Sequence, residues 1–320
     1  MESAADLRGK AATALRLHDW RQNIIYIGFL AVFVFFAVTQ SDSGFLSTGN
    51  LLNVFRQTAS VAVMAVAMTF VIAAAEIDLS VGAVAGLASV VAALAMPHGT
   101  ILGVLAGLGV GLLVGVVNGS LVSLLKVPSF LVTLGMLGLI SGFARFITDS
   151  KPVPIQDATF NLMFGGGDLG PIPGLMVWAL VFVAAGTVVM NRTKFGRQVL
   201  ATGASETAAR FTGVKTMRIK FQVLVMSGTA AAVAGLLYAG RLQSGRFQWG
   251  TGDELLVIAA VILGGTSLFG GRGRVVGTLF GSLLISLVNN GLILAGLDVA
   301  EQQMVRGAII VAAVALSREK

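Results

Sequence analysis

Cysteine is absent from the 320 residues, which removes disulfides, thiolate metal sites and cysteine nucleophiles at once. Charge is scarce as well: 12% of residues are Asp, Glu, Lys or Arg, against 56% hydrophobic, and mean hydropathy is +0.88. So few polar groups could not cover a soluble globule of this length, and a membrane solvent is implied. There are only two histidines, His18 in the polar N-terminal stretch and His98 beside Pro97. With no paired carboxylates inside the apolar runs either, an intramembrane hydrolase or metalloprotease is disfavoured and no metal-ligating set is expected. A Gly-rich phosphate loop followed by Lys and Ser or Thr is also missing, so energy for any active process must come from another chain.

What the sequence has in abundance is glycine, 41 residues, and long apolar runs. Small residues let transmembrane helices approach closely, and continuous runs favour helices over the short alternating segments of a barrel. Breakers between the runs predict an all-α, polytopic bundle of about ten spans, near 22–40, 55–75, 80–96, 100–125, 129–149, 175–191, 217–240, 254–270, 275–292 and 302–316. The first run has no convincing small-residue cleavage site after it and is read as a retained helix. An even number of spans puts both termini on one side, and with the N-terminus inside, sixteen of the 22 basic residues fall inside and six outside. That asymmetry predicts an N-in, C-in inner-membrane protein and accounts for the net charge of +7 without nucleic acid. The expected organisation is a cytoplasmic segment 1–21, one membrane domain 22–316 and a cytoplasmic tail 317–320. Within the domain lie an irregular external loop 148–174, dense in Pro and Gly, and a basic cytoplasmic loop 191–217.

Polar residues inside apolar stretches are the candidates for function. Glu76-Ile77-Asp78-Leu79-Ser80 interrupts the chain between the second and third runs. An acid costs about 2.5–3.5 kcal/mol at the centre of a spanning helix, so it needs a reason to be there. Asp78 and Ser80 can cap the third helix or gate transport. Asn118 in the fourth run and Asn289 and Asn290 in the ninth can bond between helices or line a path for a hydroxyl-rich solute, since amides both donate and accept. In the inner loop, Ser205 can cap a short helix with Glu206 in its first turn, Ala208 and Ala209 are small enough for a partner's groove, and Gly213 can end the helix. Lys151, Arg241 and Arg246 fall on the outer side, where charges can steer a docking protein.

Several strings together resemble the ribose, xylose and arabinose permeases of binding-protein-dependent ABC importers, over Phe45 to Ala315. They are Phe45-Leu46-Ser47 with Asn50-Leu51-Leu52-Asn53-Val54, then Ile77-Asp78-Leu79-Ser80-Val81-Gly82, then Val127-Pro128-Ser129-Phe130 through Gly135. Thr193-Lys194-Phe195-Gly196-Arg197, the Gly203 to Gly213 segment with Ala208-Ala209-Arg210, Leu263-Gly264-Gly265-Thr266-Ser267 and Gly277 through Asn289-Asn290-Gly291 follow in order. The chain departs from the family's pattern at Ala75 and Glu76, where glycine is usual, and at Ser141, where Arg is frequent. The resemblance implies a non-enzymatic subunit that pairs with a second permease copy and receives solute from an external binding protein. It further implies docking to an ATP-binding subunit through Gly203, Ser205, Glu206, Ala208, Ala209, Arg210 and Gly213, with ATP and Mg held by that partner and no cofactor in this chain. Branched-chain amino-acid permeases share the architecture and are the alternative within the family; an ion-coupled secondary carrier would need relay acids that the spans lack.

Overall fold

The computed structural model describes residues 25–316; the N-terminal segment 1–21 and the tail 317–320 lie outside the described residues. Those described are almost entirely helical. In chain order they form α1 (Ile25–Thr39), α2 (Thr48–Ala73), α3 (Val81–Ala95), α4 (Thr100–Ser123), α5 (Ser129–Thr148), β1 (Val153–Pro154) and α6 (Ala158–Asn161). Then come α7 (Gly174–Arg192), α8 (Lys194–Ala204), α9 (Glu206–Phe211), α10 (Thr216–Leu242), β2 (Ser244–Gly245), α11 (Asp253–Leu263), α12 (Val275–Leu294) and α13 (Val299–Leu316). Among the described residues seven helices are long and apolar enough to cross a membrane: α2, α3 with the turn that follows it, α4, α5, α7, α10 and α12. In hydrocarbon only a helix satisfies its own N–H and C=O groups, which is why these runs take no other form.

The run expected over 254–270 is corrected. Helix α11 stops after eleven residues at Leu263, a rise of about 16 Å against a hydrocarbon core of about 30 Å. It stops because Gly264 packs where an added Cβ would come within 2.4 Å of the Thr278 nitrogen on α12, and Gly265 turns into the left-handed region at φ 89°.

Helices α2, α3 and α10 are mostly buried, whereas α4, α5 and α7 turn much of their surface outward, with Ile101, Leu105, Leu113, Leu139 and Phe146 exposed. An apolar outward face is what lipid requires, and a helix apolar all round belongs at the centre. Helix α4 locks onto the centre through a glycine at every fourth position: Gly107, Gly111, Gly115 and Gly119. Four residues are just over one turn, so these positions share one face. A Cβ at Gly111 would stand 2.2 Å from the Gly228 carbonyl oxygen of α10, and one at Gly115 would stand 2.7 Å from the Val225 Cα. The two backbones are therefore in direct contact, the small-residue packing that membrane helices use in place of a hydrophobic driving force.

The loop 148–174 is less irregular than its composition predicts. β1 pairs antiparallel with β2, the Ile155 N–H donates to the Gln243 carbonyl at 2.9 Å, and Asp168 forms an ion pair with Arg56 at 2.5 Å. The loop thus closes the end of the bundle where α2 begins and α10 finishes. Helices α8 and α9 sit at the opposite end: the Gly271 N–H donates to the Ala73 carbonyl, and Gly203 of α8 lies against the same oxygen. Single cysteines placed at the exposed residues Ser205 and Asp168 are expected to react with a membrane-impermeant maleimide from opposite faces of sealed, oriented vesicles. Reaction of both from one face would reject this placement.

Candidate functional site: a buried polar centre and an exposed short helix

Between α2 and α3 the chain leaves the helix. Ala75 takes φ 61° and residues 76–80 form an irregular, non-helical segment that leads into α3. Non-helical backbone is tolerated at such depth only where protein satisfies it. Two hydroxyls of α5, four residues apart on one face, do so: Ser129 Oγ accepts from the Ile77 N–H at 3.1 Å and Thr133 Oγ1 from the Leu79 N–H at 3.0 Å.

The segment carries Asp78 to the interior, where it and Ser80, Asn118 and Ser227 are almost wholly buried. Asp78 Oδ1 accepts from both the Ser80 N–H (2.9 Å) and the Ser80 hydroxyl (2.6 Å), and the Asn118 amide donates to Ser80 Oγ at 3.0 Å. Because the single hydroxyl hydrogen of Ser80 is spent on Asp78, Ser80 must accept from Asn118, which orients that amide. Asp78, Ser80 and Asn118, separated by 40 residues of sequence, form one chain of hydrogen bonds linking the irregular segment 76–80 to α4. Ser80 is the N-cap of α3 by position, but its hydroxyl makes no capping bond; capping by the Ser80 side chain is corrected to capping of Ser80 by Asp78. Asp78 Oδ2, Asn118 Oδ1 and Ser227 Oγ remain without a hydrogen-bond partner among the described residues.

Asn289 and Asn290 belong elsewhere. Asn290 exchanges two amide hydrogen bonds with Asn50, 2.8 and 3.0 Å, while Asn289 accepts from Arg306. Asn50 lies in the first turn of α2, about 35 Å along the helix from Ala73, after which the segment carrying Asp78 begins. The five polar candidates therefore divide into two separate clusters.

At the end of the bundle where α8 and α9 lie, Ser205 caps α9 as expected, its Oγ accepting from the Ala208 N–H at 3.3 Å, and Gly213 follows with φ 84°. Glu206 accepts from the Lys220 ammonium at 2.8 Å, and this bond holds its carboxyl below the usual range. Two assignments within the segment are corrected. Ala209 is 4% exposed and packs against its own chain, so it is not available to a partner's groove, and Gly203 is a packing position of α8 against Ala73. Ala208 and Arg210 face outward, and beside them Phe211 is 88% exposed. No apolar periodicity singles out Phe211 in a helix of six residues. The sequence assigns no site role to Ser129, Thr133, Ser227 or Lys220 either; the four-residue spacing of Ser129 and Thr133 is the one signal that points to a shared face.

Of the three charges expected on the outer side, Lys151 and Arg246 are exposed, Arg246 lying over the Trp249 ring at 5.3 Å. Arg241 turns inward to donate to Asn53 Oδ1 at 3.2 Å, which corrects its assignment as a free docking charge.

A bundle of this kind, with backbone broken at a buried polar centre and a short helix projecting from one end, has the form of a polytopic membrane transport subunit. The family described as branched-chain amino acid transport system / permease component matches residues 50–314, and the chain belongs to that family. It is 38% identical to the ribose import permease protein RbsC of Escherichia coli (strain K12), covering 91% of this chain and 92% of the relative. It is 39% identical to RbsC of Bacillus subtilis (strain 168), with the same coverage. The L-arabinose ABC transporter permease protein AraH of Azospirillum brasilense is 34% identical, over 92% of this chain and 86% of the relative. No solved structure matches the chain.

Proposed function

We propose that this chain is the non-catalytic permease subunit of an ATP-driven importer in the inner membrane, forming the path for a sugar or sugar-like solute. The observation that carries the reading is similarity over nine-tenths of the chain to permeases named for ribose and L-arabinose import. The family's description names branched-chain amino acids, but these relatives favour a sugar. On this reading a second permease copy completes the path, an external binding protein delivers the solute to the end bearing Lys151 and Arg246, and an ATP-binding subunit holding ATP and Mg docks on α9. Phe211 is the natural anchor for that last contact, because an exposed aromatic at a helix tip gains most from a pocket on a partner.

Proteoliposomes holding the chain, the ATPase and a loaded binding protein should accumulate radiolabelled ribose or arabinose only with internal ATP. Phe211→Asp should leave insertion of the permease intact and lower its recovery with the ATPase by at least about tenfold, the loss of one anchor residue. ATP-independent accumulation, or ATP-driven uptake of leucine but of neither sugar, would overturn the reading.

A further inference from the structure

The Lys220 ammonium lies between two carboxylates from different parts of the chain, 2.7 Å from Glu76 Oε1 and 2.8 Å from Glu206 Oε2. Glu76 begins the irregular segment 76–80 and Glu206 is the first residue of α9. We propose that Lys220 is a positioning residue for transport, joining α9 mechanically to the buried polar centre through these two carboxylates; the inference rests on the permease reading above and adds how movement at α9 reaches the interior.

Helix α9 has six residues, too few to hold its own orientation, so ties to other elements set it. Those ties are the buried Ala209, the Thr216 hydroxyl donating to Glu206 at 3.3 Å, and Lys220. On the other side of the ammonium, Glu76 is fixed by its N–H, which donates to the Val71 carbonyl at 3.0 Å, and by the residues after it. Ile77 and Leu79 are held to α5 by Ser129 and Thr133, and Asp78 and Ser80 are the first two members of the polar chain that ends on Asn118. A displacement of Glu206 is thus passed through one ammonium to Glu76, and two residues later it arrives at Asp78. No other ion pair among the described residues reaches residues 76–80.

An ordinary inward-facing lysine would extend its head to water. Lys220 instead keeps its side chain largely covered, and Glu76 is covered further, so salt screens the pair weakly and a neutral substitute leaves a buried carboxylate uncompensated.

The test compares wild type, Lys220→Met and Lys220→Arg in two assays. In nanodiscs holding the permease alone, amide hydrogen exchange across residues 77–80 should quicken in Lys220→Met and return toward wild type in Lys220→Arg. In proteoliposomes with the ATPase and binding protein, labelled ribose or arabinose carried per ATP hydrolysed should fall at least about fivefold in Lys220→Met, the lower end of coupling between sites. Unchanged exchange across 77–80 overturns the bridge, whatever the transport assay reads. Faster exchange with an unchanged ratio of sugar to ATP makes Lys220 structural only and overturns its part in coupling. Should wild type itself fail to accumulate either sugar with ATP, the permease reading falls, and the exchange assay still decides the bridge.

Discussion

Replacing Gly111 by leucine is expected to lower the yield of folded, monodisperse protein to less than about a tenth of wild type, while Gly109→Leu stays within about twofold. The two glycines are two residues apart on the same helix, so propensity and chemistry are matched and only the facing differs. A Cβ at Gly111 meets the Gly228 carbonyl at 2.2 Å, a backbone atom that no rotamer change can move, whereas one at Gly109 meets nothing within 4 Å. Relief requires α4 to withdraw from α10, which breaks contact along the whole glycine stripe. Overpacking of a side-chain core already costs about 1–3 kcal/mol, and overpacking against backbone exceeds that. Detergent extraction followed by size-exclusion chromatography measures the outcome, and equal yields for the two variants would show that α4 and α10 do not meet on this face.

The second large effect is expected at Asp78. Leucine there removes the acceptor of the Ser80 N–H and the Ser80 hydroxyl, two donors buried beyond the reach of water. Each unsatisfied donor costs about 1–3 kcal/mol, so their sum approaches the 5–15 kcal/mol that separates a typical folded domain from its unfolded chain. Asp78→Leu should therefore fold in less than about a tenth of wild-type yield. Asp78→Asn keeps an oxygen in the Oδ1 position to accept from both Ser80 donors and should recover most of that yield. The comparison also separates anchoring from gating. A full-yield Asp78→Asn permease that transports normally needs only the acceptor. Wild-type yield for Asp78→Leu would remove the hydrogen-bond chain from any account of the fold.

Much of this protein could be read before any coordinates. Span positions follow from apolar runs because lipid leaves a continuous apolar stretch only one way to satisfy its backbone, and the bounds of α4, α5, α7 and α10 fall within about three residues of the expected runs. Ser205 as a cap followed from residue type and spacing alone. The run 254–270 misled because hydropathy is blind to helix termination: Gly264 and Gly265 are apolar by composition but end α11 through contact with α12, which is remote in sequence.

The sequence by itself determined the solvent, the helical class and the membership of a permease family, since each depends on local composition or on the order of short strings. Partnership was decided by tertiary structure. Only there do Asp78, Ser80 and Asn118 join while Asn290 turns to Asn50, and only there does Ala209 face inward while Phe211 faces out. Lys220 reads in sequence as one more inward-side cation; its place between Glu76 and Glu206 comes from three segments meeting at one end of the bundle. The physical reason is common to all of these. A polar side chain in an apolar bundle must find its partner within hydrogen-bond reach, and which partner lies within reach is set by helix packing, not by distance along the chain.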